Sequence, residues 1–266
     1  MNSPIPPEGA SAPDAATSTD AFLRGAFHLV QPAGRGFRAG HDALLLAACV
    51  GDAMAGRALD MGAGSGAVAF AAACRADGIH LDLAERNAEI AALAERSRRL
   101  SANAALAGRL AVRVADLLSP RAAREAAGLR DGAYDLVLTN PPFHPAGQRR
   151  SPDPLRDEAR AIPGADFLAR WIAVAAALLR PGGRLALIGR PENLRDLLPA
   201  ADNRFGSLRL LAVHRDVDAP ASRILLGAVA GSREPIRILP PLVLDAEMRE
   251  RISLGCHHIR GILDEA

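Results

Sequence analysis

The sequence has no lysine. All 32 of its basic side chains are arginine, and 30 acidic residues nearly balance them, so the net charge of the 266-residue chain is only +2. This balance does not by itself indicate a nucleic-acid-binding protein, although a local basic patch is compatible with it. We attribute the use of arginine alone, with the abundance of alanine, glycine and proline, to a biased genome composition. Aromatic residues make up only 3%, so each one outside the core needs an explanation.

Cysteines and long apolar runs are also few. Cys49, Cys74 and Cys256 are far apart and form no CxxC or other metal-binding spacing, which favours a reduced chain and predicts no metal site. No apolar run has the length of a membrane span. Residues 1–20 are polar and proline-rich and have none of the features of a signal peptide, so we expect a disordered leader. The sequence therefore predicts a soluble, cytoplasmic protein without a membrane partner.

Beyond an extended piece and a helix that starts near His41 and Asp42, strand patterns alternate with helical patterns. The predicted strands are RALDM, IHLDLAE, RLAVRVADLL, YDLVLTN and RLALIG, and the predicted helices between them are GAVAFAAACRA, AEIAALAERSRRLSANAAL, PRAAREAAG and DFLARWIAVAAALLR. Such alternation predicts an α/β fold in which helices cover both faces of a mostly parallel sheet.

Two further strand patterns, LRLLAVH and RILLGAVA, are separated only by a loop. They predict an antiparallel hairpin at one edge of the sheet. We place a single domain at residues 21–244 and a helical C-terminal tail at residues 245–266.

Four polar residues follow from this arrangement as candidates for a site. Asp60, Glu85, Asp116 and Asn140 each end a successive predicted strand. Ligands of parallel sheets bind beyond the carboxyl ends of the strands. We therefore expect the four side chains to meet at one rim of the sheet.

The segment DMGAGSG, residues Asp60–Gly66, follows the first of these strands and opens a helix. Its glycines allow a tight turn and let a ligand approach the backbone and the helix N–H groups. Dinucleotide-binding domains share such a loop. Glu85 lies nineteen residues beyond Gly66, where an acid can bind two ribose hydroxyls. Asp82 is a rival, but strand alternation and the following helix start favour Glu85.

The stretch YDLVLTNPPFHP, residues Tyr134–Pro145, is a hydrophobic strand that ends at an asparagine, two prolines and a phenylalanine. Proline stops strands, so this corner has a purely structural interpretation. The prolines also make the corner rigid and poor in hydrogen-bond donors, and the first of them holds Asn140 in an extended conformation. The corner thus presents one amide and one aromatic ring.

The acid, the glycine loop and the acids after the second and third strands resemble the large family of S-adenosylmethionine-dependent methyltransferases with a Rossmann-like fold. The resemblance covers about residues 37–230. It implies that Asp60 orients the amine of the cofactor, that Glu85 binds its ribose and that Asp116 binds its adenine. It also implies that three glycines line the methionine and ribose portion: Gly62, Gly64 and Gly66.

Within that family, Asn-Pro-Pro-Phe after the fourth strand is typical of enzymes that methylate planar nitrogen groups. The resemblance implies that the side-chain oxygen of Asn140 and the carbonyl of Pro141 accept hydrogen bonds from the target nitrogen. Pro142 would keep the corner rigid, and Phe143 would stack on the flat face of the target. His144 is a candidate for an assisting group or a loop histidine at the surface.

The segments GFRAGHDALLLAA, TNPPFHPAGQRRSPDPLRDEAR and PASRILLGAVAGSREPIRILPPLVL resemble the bacterial tRNA adenine-N6 methyltransferase family. This implies tRNA as the partner and no DNA, and it implies that the segment with Arg38, His41 and Asp42 closes over the cofactor. Further arginines are candidates for phosphate contacts, or for a charge-balanced surface loop: Arg149, Arg150, Arg156, Arg160 and Arg223.

Other readings stay open. The corner motif also occurs in glutamine methyltransferases that act on release factors, which carry a helical domain ahead of the glycine loop. Guanine-N2 ribosomal RNA methyltransferases share Asn-Pro-Pro-Phe-His but are commonly longer. A cofactor-binding RNA assembly factor without catalysis is the non-enzymatic alternative. The sequence predicts no oligomeric state.

Overall fold

The computed structural model of the chain describes residues 17–33, 40–142 and 166–263. Its strands are β1 Thr17–Phe22, β2 Phe27–Pro32, β3 Ala55–Met61, β4 Gly78–Glu85, β5 Leu110–Val114, β6 Tyr134–Thr139, β7 Leu179–Gly189, β8 Phe205–His214, β9 Ala221–Ala230, β10 Arg237–Ile238 and β11 Leu242–Val243. Its α-helices are α1 His41–Ala47, α2 Ala67–Arg75, α3 Ala88–Arg98, α4 Ala104–Ala107, α5 Arg121–Ala126, α6 Phe167–Leu178, α7 Leu194–Ala201 and α8 Ala246–Ser253.

The predicted sheet and its edge hairpin are confirmed. The main sheet has the order β10-β8-β9-β7-β6-β3-β4-β5, and β11 also pairs with β8. Strands β3 to β7 run parallel, whereas β9 lies antiparallel between β7 and β8. The carboxyl ends of β3, β4, β5, β6, β7 and β8 therefore share one edge, which we call the rim.

Helices cover both faces of the sheet, as the alternation of strands and helices predicts. One apolar cluster joins α1, α2, the β2 strand and α8 to one face, and a second joins α6 and α7 to the other. Adjacent residues of one strand divide between the clusters: Leu138 belongs to the first and Val137 to the second. This division follows from the two-residue period of a strand.

The N-terminal boundary differs from the prediction. Thr17–Phe22 forms a strand that pairs antiparallel with Phe27–Pro32, so a disordered leader does not extend to residue 20. The segment TSTD contains only polar residues, so its sequence shows no alternation of apolar and polar residues. In the structure its side chains also differ little in burial. The rings of Phe22 and Phe27 stack with centroids 5.1 Å apart, and this contact closes the hairpin.

The predicted long helix after β4 is also wrong in its length. It ends at Arg98 and is followed by a 3-10 turn and the short α4. Asn103 causes the interruption, because its buried amide donates to the carbonyls of His28 and Ser97, each at 2.7 Å, and its Oδ1 accepts from His28 N at 2.9 Å. Helix α7, between β7 and β8, was not foreseen from the sequence.

The predicted C-terminal helix is present, with the Asp245 side chain capping it by accepting from Met248 N at 2.7 Å. The chain beyond it is not helical up to residue 263, and it belongs to the core. Ile252 and Ile262 are buried, and a Cβ on Gly227 of β9 would lie only 2.1 Å from the carbonyl oxygen of Ile262. Glycine in β9 thus lets the C-terminal segment lie directly on the sheet.

In the part of the chain that the structure describes, no helix is both long and apolar enough to cross a membrane.

Candidate active site

The glycine loop joins the ends of β3 and β4 at the rim. The backbone N–H groups of Gly62 and Ala63 both donate to the carbonyl of Ala84 at 3.0 Å. Gly66 precedes α2 as its N-cap with a φ of 95°. The loop is therefore fixed to the neighbouring strand before the helix begins.

The three glycines have different surroundings, although all have positive φ angles. A Cβ on Gly62 would lie 3.2 Å from the Trp171 ring, and one on Gly66 would lie 2.8 Å from Leu83 Cδ2. A Cβ on Gly64 would meet nothing within 4 Å. Gly62 and Gly66 therefore serve close packing, whereas Gly64 faces open space into which a ligand can approach.

Asp60 lies beneath this loop and is only 1% exposed. Its Oδ2 accepts from the backbone N–H of Ala69 at 3.1 Å. Burial raises the pKa of Asp60 to about 7, against the lowering effect of the Ala69 hydrogen bond, and the charge of Glu85 raises it further. A cationic group placed beside this carboxylate would favour its ionised form.

Glu85 ends β4 and connects it with the loop. One carboxylate oxygen accepts from Gly64 N at 2.9 Å, and the other accepts from Asn87 N at 2.8 Å. Because each carboxylate oxygen has two lone pairs, both oxygens can still accept a ligand hydroxyl. Glu85 is half-buried at the end of β4, so part of its side chain is accessible at the rim.

Asp82, the rival of Glu85, is buried in a network inside the fold. Its carboxylate accepts from Tyr134 Oη at 2.9 Å, Arg113 Nε at 2.9 Å and Arg57 Nη2 at 3.1 Å. Three donors occupy this side chain away from the rim. The choice of Glu85 over Asp82 for the rim agrees with this geometry.

Asp116 lies two residues beyond the end of β5 rather than at its last position. Its side chain is exposed, and Oδ1 accepts from Leu118 N at 2.9 Å. Leu117, between them, is buried. Asp116 thus shapes the turn after β5 while its carboxylate stays accessible at the rim.

The corner after β6 begins at Asn140. The Oδ1 atom of Asn140 is buried, and among the residues that the structure describes no donor reaches it. Pro141 is buried and Pro142 is half-buried. A buried acceptor without a partner costs about 1–3 kcal/mol, and such groups are typical of sites that bind a ligand donor. Phe143 and His144 lie outside the described residues.

Trp171 of α6 is a site residue that sequence reasoning missed. Its Nε1 donates to Thr139 Oγ1 at 3.0 Å, and that hydroxyl donates to the carbonyl of Met61 at 2.8 Å. The same ring faces Gly62. Trp171 therefore links the last residue before Asn140 to the glycine loop. The only tryptophan of an aromatic-poor chain was the available signal.

The start of α1 contains His41 and Asp42. Asp42 Oδ2 accepts from Arg223 Nε at 2.9 Å, and both side chains are mostly buried. The His41 Nε2 atom is buried without a hydrogen-bond partner among the described residues. Burial lowers the pKa of His41, and the charge of Arg249 adds to this against the opposite effect of Asp42.

The ion pair changes the interpretation of two predicted residues. Arg223, expected to contact RNA, and Asp42, expected near the cofactor, bind each other across β9 and α1. Five other predicted arginines lie outside the described residues: Arg38, Arg149, Arg150, Arg156 and Arg160.

The strand order, with the glycine loop after β3 and acids after β4 and β5, defines a Rossmann-like methyltransferase. A family model described as "Methyltransferase small domain" matches residues 39–215. The chain belongs to this family and is an S-adenosylmethionine-dependent methyltransferase.

Two relatives and one solved structure illustrate the similarity. A tRNA1(Val) (adenine(37)-N6)-methyltransferase of Porphyromonas gingivalis is 34% identical over 78% of this chain and 80% of its own length. The enzyme of the same name from Aeromonas hydrophila is 32% identical over 71% and 75%. The crystal structure of a predicted O-methyltransferase from Agrobacterium tumefaciens is 32% identical, covers 82% of this chain and 98% of its own, and superposes with a TM-score of 0.70.

More distant relatives carry other methyltransferase names. A release factor glutamine methyltransferase of Chlorobaculum tepidum is 25% identical over 60% of this chain. A ribosomal RNA large subunit methyltransferase G of Streptomyces coelicolor is 32% identical over 50% of this chain and 29% of its own length.

The rim fits S-adenosylmethionine. Gly64 leaves open space above the loop, Asp60 is an acid suited to a cationic amine, and Glu85 retains lone pairs for ribose hydroxyls. In the described ranges no group of three or more His, Cys, Asp or Glu side chains is arranged to hold a metal ion.

Proposed function

We propose that the protein methylates the exocyclic N6 of an adenine in tRNA. The observation that carries the proposal is the buried Oδ1 of Asn140, which no donor among the described residues reaches. Asn140 lies one residue beyond the strand that borders the glycine-loop strand β3. The names of the Porphyromonas gingivalis and Aeromonas hydrophila relatives support tRNA as the substrate.

The chemistry requires acceptors rather than a strong base. The lone pair of an exocyclic amine is delocalised into the ring, so the nitrogen is a weak nucleophile. Asn140 Oδ1 and the Pro141 carbonyl would accept hydrogen bonds from the two N–H groups of the amine and direct the nitrogen lone pair away from the ring plane. S-adenosylmethionine supplies an electrophilic methyl group when bound. The nitrogen becomes acidic once it has attacked, so its proton can leave without a dedicated base.

Rigidity of the corner is the second requirement. Thr139, the residue before Asn140, is held in place by hydrogen bonds with Met61 and Trp171. The two prolines restrict the backbone after it. Acceptors that are fixed before the substrate arrives need no reorganisation during the reaction, which is how preorganised polar groups lower a barrier.

The proposed cofactor contacts follow the geometry of the rim. Asp60 would bind the amine of the cofactor, Glu85 its ribose and Asp116 its adenine. The glycines would line its path, with Gly64 nearest because it faces open space. Phe143 stays a prediction for stacking on the base, and Arg38, His41 and Asp42 stay predictions for closing over the cofactor.

The RNA contacts are proposed with one modification. Arg149, Arg150 and Arg156 follow the corner in sequence and would meet phosphates near the target base. Arg223 is held by Asp42, so any phosphate contact would compete with this ion pair. RNA binding through such contacts should weaken steeply with salt because counterions are released.

The test is methyl transfer from labelled S-adenosylmethionine to RNA from cells that lack this gene, followed by nucleoside analysis. Label in N6-methyladenosine of the tRNA fraction supports the proposal. Label in N2-methylguanosine of ribosomal RNA, or in protein glutamine, would replace the proposed substrate. Tight cofactor binding without transfer to any fraction would favour a non-catalytic assembly factor.

A further inference from the structure

A basic cleft of about 520 Å³ lies beside the C-terminal end of α8. Four positive or titratable side chains of the C-terminal region line it: Arg251, His257, His258 and Arg260. Its remaining wall comes from β8 and the segment around β11 and includes Leu242. None of the predicted site residues lies in it, so the methyltransferase chemistry described above does not account for it.

The charge of the cleft is not neutralised by its own walls. No acidic residue lines it, and within the described residues neither Arg251 nor Arg260 takes part in an ion pair. Burial lowers the pKa of His257, and the charges of Arg251, Arg75 and His258 lower it further. The cleft therefore has a positive potential, which favours an anion.

The cleft is built on fixed backbone. Ile259 N donates to the Ala48 carbonyl at 2.8 Å, and Cys256 N donates to the Arg251 carbonyl at 2.8 Å. Arg75 Nη1 donates to the Gly255 carbonyl at 3.2 Å. Because the backbone between Arg251 and Ile259 is tied to α1 and α2, the charged side chains start from defined positions.

The cleft lies within reach of the rim. Leu211, in its wall, is three residues before His214, the last residue of β8, which places it about 10 Å below the rim. β8 is separated from β6 by β9 and β7, which is about 14 Å across the sheet. A polymer bound at Asn140 can therefore reach the cleft with a part several units away.

We propose that the basic cleft binds a backbone phosphate of the RNA substrate, several nucleotides away from the methylated base. The inference rests on the proposed function for the identity of the polymer. Arg251 and Arg260 form no ion pair with any described residue, and phosphate is the group that they would bind, since their N–H donors match its oxygens. The cleft would position the RNA and take no part in methyl transfer.

The test compares R251A/R260A with R130A/R233A. Both variants remove two exposed charges, but Arg130 precedes β6 and Arg233 follows β9, which places the control pair at the opposite edge of the sheet from the rim. Binding of full-length tRNA lacking this modification is measured without cofactor over a series of salt concentrations, and methyl transfer is measured with it.

We expect R251A/R260A to weaken tRNA binding about tenfold and to reduce the salt slope by about 1–2, with kcat at saturating tRNA unchanged. R130A/R233A should bind like the wild type, and R251K/R260K should have an intermediate affinity because it keeps the charge but loses the paired N–H donors. Equal binding by R251A/R260A and the control variant would overturn the proposal. Binding of inorganic phosphate to R251A/R260A is measured as well. A loss of phosphate binding together with unchanged tRNA binding would also overturn the proposal, because the cleft would then bind free anions and not RNA.

The binding arm does not depend on catalysis. A wild-type protein that binds tRNA through the cleft but methylates none of it would overturn the proposed function and leave the cleft supported. If the wild type methylates tRNA and R251A/R260A binds tRNA as the wild type does, the proposed function is supported and the proposal for the cleft is overturned.

Discussion

Exchanging Gly64 and Gly66 for alanine, one at a time, separates the two uses of glycine in the loop. Both residues have positive φ, 55° and 95°, which costs a non-glycine residue about 1–2 kcal/mol. Only at Gly66 does the new Cβ meet neighbours, Leu83 Cδ2 at 2.8 Å and Phe70 Cδ2 at 3.1 Å. At Gly64 it points into open space.

The two variants should therefore fail in different ways. Leu83 and Phe70 are fully buried, so G66A adds an overpacking cost of about 1–3 kcal/mol. For a domain of this size each kcal/mol lowers Tm by about 2–4 °C, and G66A should unfold several degrees below G64A. G64A places a methyl group where the cofactor is proposed to approach, so its Kd for S-adenosylmethionine should rise about tenfold or more.

Thermal unfolding gives the Tm of each variant. Calorimetric titration with S-adenosylmethionine, at a temperature where both variants are folded, gives the Kd for the cofactor. Wild-type cofactor affinity in G64A would refute the position of the cofactor above Gly64. Equal Tm values for the two variants would refute the packing argument for Gly66.

Three further predictions follow from the rim. W171F removes the hydrogen bond to Thr139 and leaves a small cavity, so the free energy of unfolding should fall by about 1–3 kcal/mol. The variant should also lower kcat more than cofactor affinity. An unchanged kcat in the folded variant would show that Trp171 does not help to position the corner at Asn140. Burial raises the pKa of Asp60 from 3.8 to about 7, so as the pH rises this carboxyl loses its proton in the unfolded state before it does in the folded state. The free energy of unfolding should therefore fall as the pH rises from about 4 to 7. D60N should lack this fall and bind cofactor more weakly, and parallel pH profiles for the two proteins would contradict the assignment. A double-mutant cycle of D42A and R223A should give a coupling of about 1 kcal/mol, and if Arg223 also meets phosphate, R223A alone should weaken RNA binding; additive effects on stability would rule out the ion pair in solution.

The sheet was predictable because its strands are apolar runs bounded by glycine, proline and helical periodicity. The positions of Asp60, Glu85 and Asn140 followed from the rule that carboxyl ends of parallel strands share an edge. Asp116 was displaced by two residues because β5 ends early, at Val114. These are errors of element length, which local patterns define poorly.

Other features depend on contacts between distant residues. The β1 strand is polar and exists because of its partner β2, and the break after α3 depends on a side chain that binds the backbone of residue 28, 75 positions away. The Asp42–Arg223 pair joins residues 181 positions apart. No pattern within a short window carries such information, and the role of Trp171 was hidden for the same reason.

The rate of methyl transfer to tRNA by N140A, with cofactor affinity measured on the same preparation, tests whether the corner after β6 is the catalytic site. We expect kcat to fall about 100-fold or more, as for the loss of a preorganised acceptor or donor at a reacting group, while the Kd for S-adenosylmethionine changes by less than about threefold. Transfer at the wild-type rate by N140A would show that the corner after β6 is not the catalytic site.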